Sequence, residues 1–212
     1  MGTSNNILVQ LGQMDTGDAL TGLGGGDGQK RYIDLNPIAD LRTAAGLVLT
    51  GATAPSVQAL ETNALGVQVA AGATAAGSYV FDIPQDYDPS QRPAGAVTTP
   101  AAAAGDFFQI HVKAISGGTT NAPTLNATIY SSRSGKALGS ALTTQASQAI
   151  NKSTAHPATV VIDVSGNKLL PGDTLTVNLT TAAHATDAVN IYSVRMVYMG
   201  HLVVTNMAIR ST

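Results

Sequence analysis

Three carboxylates stand close together at Asp82, Asp86 and Asp88, and calcium favours oxygen ligands of this kind. Their spacing is not that of an EF-hand loop, which also needs a glycine at its sixth position and a glutamate at its twelfth. Asx-turns ahead of Pro89 account for Asp86 and Asp88 without a metal. The histidines, His111, His156, His184 and His201, are too far apart in sequence to form a helical zinc pair. The chain has no cysteine, which removes both a disulfide framework and a thiolate metal site. A nucleophile would have to be Ser or Thr, and no G-x-S-x-G elbow occurs. The glycine-rich run from Gly24 to Lys30 resembles a phosphate loop only superficially. Gln29 separates Gly28 from Lys30, and Arg31 stands where Ser or Thr is required. These residue types in this arrangement predict no cofactor, no bound metal and no catalysis.

Composition narrows the classes further. Charged residues are 11% of the 212-residue chain, the net charge is −2 and the isoelectric point is near 6.0, whereas an ordinary soluble domain carries about 25% charged residues. No basic patch is visible, so nucleic acid is not an expected partner. No apolar run approaches the ~20 residues of a membrane span. Met1 to Gln10 lacks the basic and long apolar regions of a signal peptide, so the expectation is a protein used without Sec export or membrane insertion. Few charges leave neutral surface that can be buried against other chains, because little charge must be desolvated. A face of exposed Thr and Ser hydroxyls would have the same composition. Aromatic residues are only 4%, with no tryptophan, which leaves few flat platforms for sugars.

The elements that would position any site divide at about Leu65. Residues 1–64 are predicted to form an extended arm carrying short ordered pieces. These are the apolar run Leu8-Val9-Gln10-Leu11, the flexible Gly22 to Gly28 run, a short helix from Pro37 to Ala45 with Ile38 and Leu41 on one face, and a strand at Leu47-Val48-Leu49. Such an arm buries too little apolar surface to offset its ordering entropy. It should therefore order against its own domain or a neighbouring subunit. From Leu65 the hydrophobic period becomes two. Leu65, Val67 and Val69 alternate with polar or small residues, as do Phe108, Ile110, Val112 and Ala114, then Leu125, Ala127 and Ile129, then Leu175, Val177 and Leu179. Ser78 to Ile83 and Ala158 to Val164 supply further strands, and Val189 to Val204 is long enough for one bent strand or for two broken at Gly200. Ser131 to Ser153 is a long polar connection with a helical turn near Thr144 to Ile150, and Leu169-Leu170 forms a short element. Seven or eight strands at this spacing predict an all-β, antiparallel β-sandwich over residues 65–212. The long intervals Gln85 to Gly105 and Ser131 to Pro157 suit crossovers between sheets, which favours a jelly roll over a meander.

The phrase Phe81-Asp82-Ile83-Pro84-Gln85-Asp86-Tyr87-Asp88 resembles one found in tailed-phage capsid cement, or decoration, proteins. There a strand ends in Ile-Pro and Asp-Tyr-Asp opens a loop. A strand like Phe107 to Ala114 follows, then a segment like Asn121-Ala122-Pro123-Thr124-Leu125 and a Tyr-x-x-Arg-x-Gly like Tyr130 to Gly135. The resemblance covers about Ser78 to Lys136, and Ala101 to Gly105 is inserted where a shorter link is usual. It implies a jelly-roll module on the virion, bound to the capsid exterior where subunits of the major capsid protein meet, commonly as a homotrimer. On that reading the capsid or subunit contacts are Leu8, Val9, Leu11, Ile38, Leu41, Leu47 and Leu49 of the arm, with Asp86, Tyr87, Asp88 and Arg92 of the loop. The alternative is a glycan- or receptor-binding sandwich of a phage fibre or cell surface, with a face bearing Tyr79, Tyr130, Tyr192 or Tyr198.

Overall fold

The structure is a computed structural model and describes residues 29–37, 55–61, 64–88, 106–137, 139, 141–145, 147–166 and 169–200. These form two antiparallel sheets packed face to face. The larger sheet contains β1 (Gln29–Leu35), β2 (Ser56–Glu61), β3 (Ala64–Val69), β5 (Asp106–Ser116), β7 (Thr143–Thr144), β9 (Ala158–Gly166) and β11 (Val189–Gly200). The smaller contains β4 (Ala75–Asp82), β6 (Thr124–Ser132), β8 (Gln148–Ala149) and β10 (Thr174–Ala182). Setting aside β1, β2 and β7, the orders are β3-β11-β5-β9 and β4-β10-β6-β8. Successive strands change sheet in the manner of paired Greek keys, which is the jelly roll.

Alternation creates the core. Along β10, Leu175, Val177 and Leu179 are buried while Thr174, Thr176, Asn178 and Thr180 are half-buried on the other face. The inner face of the larger sheet opposes them with Val67, Val69, Phe108, Ile110, Val112, Ala114, Ile162 and Val164. β-Branched residues dominate because they pack well on a pleated, half-buried surface. Pro171 and Gly172 enter β10 through a tight turn in which Asp173 N–H donates to the Leu170 carbonyl at 3.0 Å. Gly172 has φ +85°, so Pro then Gly is the pairing a type II turn needs.

β11 is the central strand, and it changes face partway. Val189 and Ile191 point into the core, but so do Val194, Met196 and Tyr198. The switch from odd to even numbers falls at a register shift between Ile191 and Ser193. A β-bulge adds one residue there and reverses the alternation that follows. Val189–Gly200 is therefore a single strand with a bulge inside it, and residues 201–204 of the expected segment lie outside the described residues.

Several expectations are corrected. The described part of the sandwich starts before Leu65, because β1 pairs with β11 over Leu35↔Val194 to Gln29↔Gly200, and β2 pairs with β3. Leu65 is 64% exposed, since the outer end of β3 runs on where β1 has replaced it beside β11. The helical turn expected near Thr144 to Ile150 is instead two strand fragments. Thr143–Thr144 pairs with β9 and Gln148–Ala149 with β6, as the chain passes from one sheet to the other. Leu169-Leu170 forms no strand: Leu169 is buried, and exposed Leu170 leads into the turn. The expected helix Pro37 to Ala45 (beyond Pro37) and strand Leu47 to Leu49 lie outside the described residues.

Candidate functional site

The outer face of the larger sheet brings several charged and hydroxyl side chains together. Register fixes two rows across it. Arg195 of β11 stands between Asp34 of β1 and His111 of β5. One step along, Lys113 of β5 stands between Ser193 of β11 and Thr159 of β9. His111, Lys113, Thr159, Ser193 and Arg195 line a shallow pocket of about 130 Å³. The bulge in β11 makes this possible. Without it the even-odd alternation would turn Ser193 and Arg195 toward the core, where an unpaired guanidinium is prohibitive.

Hydrogen bonds fix the floor of the pocket. Gln109 Nε2 donates to Asp163 Oδ1 at 2.8 Å, so its Oε1 is the acceptor that meets His111 Nε2, also at 2.8 Å. His111 therefore carries its proton on Nε2 when neutral. Burial holds the His111 pKa below its usual value, and the positive charges of Lys30 and Arg195 push it the same way against the pull of Asp163. At the rim, Tyr32 is 51% exposed. Lys30 Nζ lies 5.8 Å from the centroid of its ring and the Arg195 guanidinium carbon 5.6 Å, within cation–π range. Arg195 Nε is 3.5 Å from Asp34 Oδ1 in an exposed pair.

The aspartates singled out from sequence are divided among structural tasks. Asp82 accepts from Thr174 Oγ1 at 2.6 Å across the smaller sheet. Asp86 pairs with Arg31 at 2.8 Å and accepts from Tyr198 Oη at 3.1 Å. Burial and the Asp86 charge push the Tyr198 hydroxyl up to about 12. Asp88 N–H donates to the Met199 carbonyl at 2.8 Å. Among the described residues no three His, Asp or Glu side chains come together as a metal site. Of the histidines, His184 is buried between the Asp187 carbonyl and Thr181 Oγ1, His156 is exposed, and His201 lies outside the described residues.

Of the expected contact residues, Asp86 is half-buried in its ion pair, while Tyr87 and Asp88 are 1% and 3% exposed. These last two offer little side-chain surface to a partner of the single chain. Leu8, Val9, Leu11, Ile38, Leu41, Leu47, Leu49 and Arg92 lie outside the described residues. The tyrosines of the glycan alternative share no face. Tyr79 and Tyr198 are in the core, Tyr130 is half-buried on the smaller sheet, and Tyr192 sits at the bulge. Sequence reasoning missed Lys30, Tyr32, Asp34 and Arg195. Ile33 and Leu35 alternating with Tyr32 and Asp34 was a signal for β1, and the shift in apolar spacing from Ile191 to Val194 was a signal for the bulge.

No family model and no curated protein matches the chain. Among solved structures it is similar to the CBM22-1 xylan-binding domain of Xyn10C from Paenibacillus barcinonensis. That match has a TM-score of 0.42 and 11% identity, covering 82% of this chain and 97% of that one.

Proposed function

We propose that the protein is a non-catalytic binding sandwich, and that its partner is the assembled shell of a phage capsid, which it cements from outside. One observation carries the reading. The phrases that resemble capsid cement proteins are the residues that fasten the corners of this fold. Asp86 ties the end of the first phrase to β1 and β11. Asn121 Oδ1 accepts from the backbone of Thr186 and Asp187, while its own N–H donates to Asp187. Arg133 forms a two-point pair with Asp173 at 2.6 and 2.5 Å. The residues that carry the resemblance are thus among those that wire this jelly roll together. Binding only to the assembled shell stabilises it by mass action, and many copies multiply the effect. Particles stripped of the protein should melt at lower temperature and resist internal pressure less than particles carrying it; equal behaviour sinks the cement role.

A second reading, a glycan-binding sandwich, is favoured by Tyr32. It is an exposed ring flanked by two cations, on the sheet face that carries the Ser193 and Thr159 hydroxyls. On a glycan array this reading expects binders that Tyr32→Ala loses; an array without binders discards it.

A further inference from the structure

We propose that the pocket between His111, Lys113, Thr159, Ser193 and Arg195 is a binding site for a carboxylate presented by an acidic side chain of a partner protein. This rests on the reading that the sandwich binds a protein, and it names the chemistry of that contact. Four observations converge. The pocket is concave and small, about 130 Å³, which suits a side-chain head group. Its walls supply an ammonium, a guanidinium and two hydroxyls, all donors to an oxyanion. The guanidinium lies against the Tyr32 ring, and its ion pair among the described residues is with Asp34, 80% exposed and 3.5 Å away, a loose pair that an incoming carboxylate can replace. The bulge in β11 turns Ser193 and Arg195 to this face, and bulges recur where a strand must re-aim side chains for function.

Charge selects the ligand class. Lys30, Lys113 and Arg195 bring three positive charges to the pocket and its rim, and Asp34 and Asp163 bring two negative ones. An excess of one matches a monovalent carboxylate. It offers no cationic tract for a polysulfated glycan or a nucleic acid backbone, which need many aligned charges. His111 is held by Gln109 through Nε2, so its ring reports on the pocket through Nδ1.

The test follows the His111 ring signals by NMR on the full chain during titration with sodium acetate, with a blocked glutamyl peptide and with a sulfated disaccharide, each against sodium chloride at equal ionic strength. Acetate and peptide should give saturable shifts that chloride does not, and should raise the His111 titration midpoint. Arg195→Met should weaken peptide binding about fivefold. Asp34→Asn, which removes the internal competitor and leaves the sheet intact, should tighten it. Shifts from acetate no larger than from chloride overturn the site. Tighter binding of the disaccharide than of the peptide overturns the carboxylate assignment, as does an unchanged Asp34→Asn affinity. The titration uses isolated protein, so its failure leaves the particle-heating result standing on its own.

Discussion

His111 and Asp173 are both held below their ordinary values, so both contributions to stability are lost as pH falls, in different windows. Burial, with Lys30 and Arg195, lowers the His111 pKa from 6.5. The unfolded chain therefore takes up this proton at higher pH than the folded one. The stability tied to neutral His111 is full above about pH 6.5 and is lost as pH falls from there toward the folded pKa. Urea melts should show His111→Gln flattening the stability difference between about pH 7.5 and pH 5.5. Asp173 is lowered mainly by its hydrogen bond from Arg133, with burial opposing and the Leu170 N–H assisting. Its contribution is present above 3.8 and disappears as pH falls through the folded value. Asp173 is 4% exposed and Arg133 37%, so solvent screens the guanidinium. Asp173→Asn should cost about 2 kcal/mol at neutral pH, chiefly by leaving Arg133 and the Leu170 N–H poorly paired, and less in acid. Ala183 sits at φ +58°, a left-handed conformation that disfavours a Cβ. Ala183→Gly should therefore raise stability by about 0.5–1 kcal/mol in denaturant melts.

At the level of elements, the bulge in β11 is the feature on which the pocket depends. Deleting Tyr192 removes the extra residue; Ser193 then follows Ile191 directly, so Ser193 and Arg195 keep the outer face while Val194 and Met196 keep the core, in a regular register. The variant should therefore keep a cooperative thermal transition by circular dichroism, and its loss would contradict the bulge at this position. β1 is held at its end by the Arg31–Asp86 pair, so Asp86→Asn should speed amide exchange in Gln29–Leu35 more than in β10. Much of the sandwich was legible because β5, β6 and β10 keep a period of two over most of their length, which a sheet with one buried face enforces. β1 was not, because Lys30 and Arg31 stand side by side, obscuring the alternation, and the Asn36-Pro37 pair that follows reads equally as a helix start. Leu65 misled because strand periodicity assigns a face but not whether a second sheet covers it. The pocket was invisible for a related reason. Its residues come from β5, β9 and β11, with Tyr32 of β1 at the rim, and only the non-sequential order of the sheet makes them neighbours.

At the scale of the whole molecule, side-chain attachments recur at the corners of the described core. The Asp86, Asn121 and Arg133 attachments join distant stretches of chain, and together they stiffen the ends of a two-sheet core. A stiff module loses little conformational freedom on docking, which favours binding at a given contact area. Such a module fits a repeated lattice, where each copy contributes modestly and the array contributes strongly. The most direct test of this account is the position of the protein in purified particles, imaged by cryo-electron microscopy. The account predicts jelly-roll density on the outer surface, seated between capsid subunits at regular stoichiometry. Particles that lack the protein, or that hold it inside the shell, would contradict it.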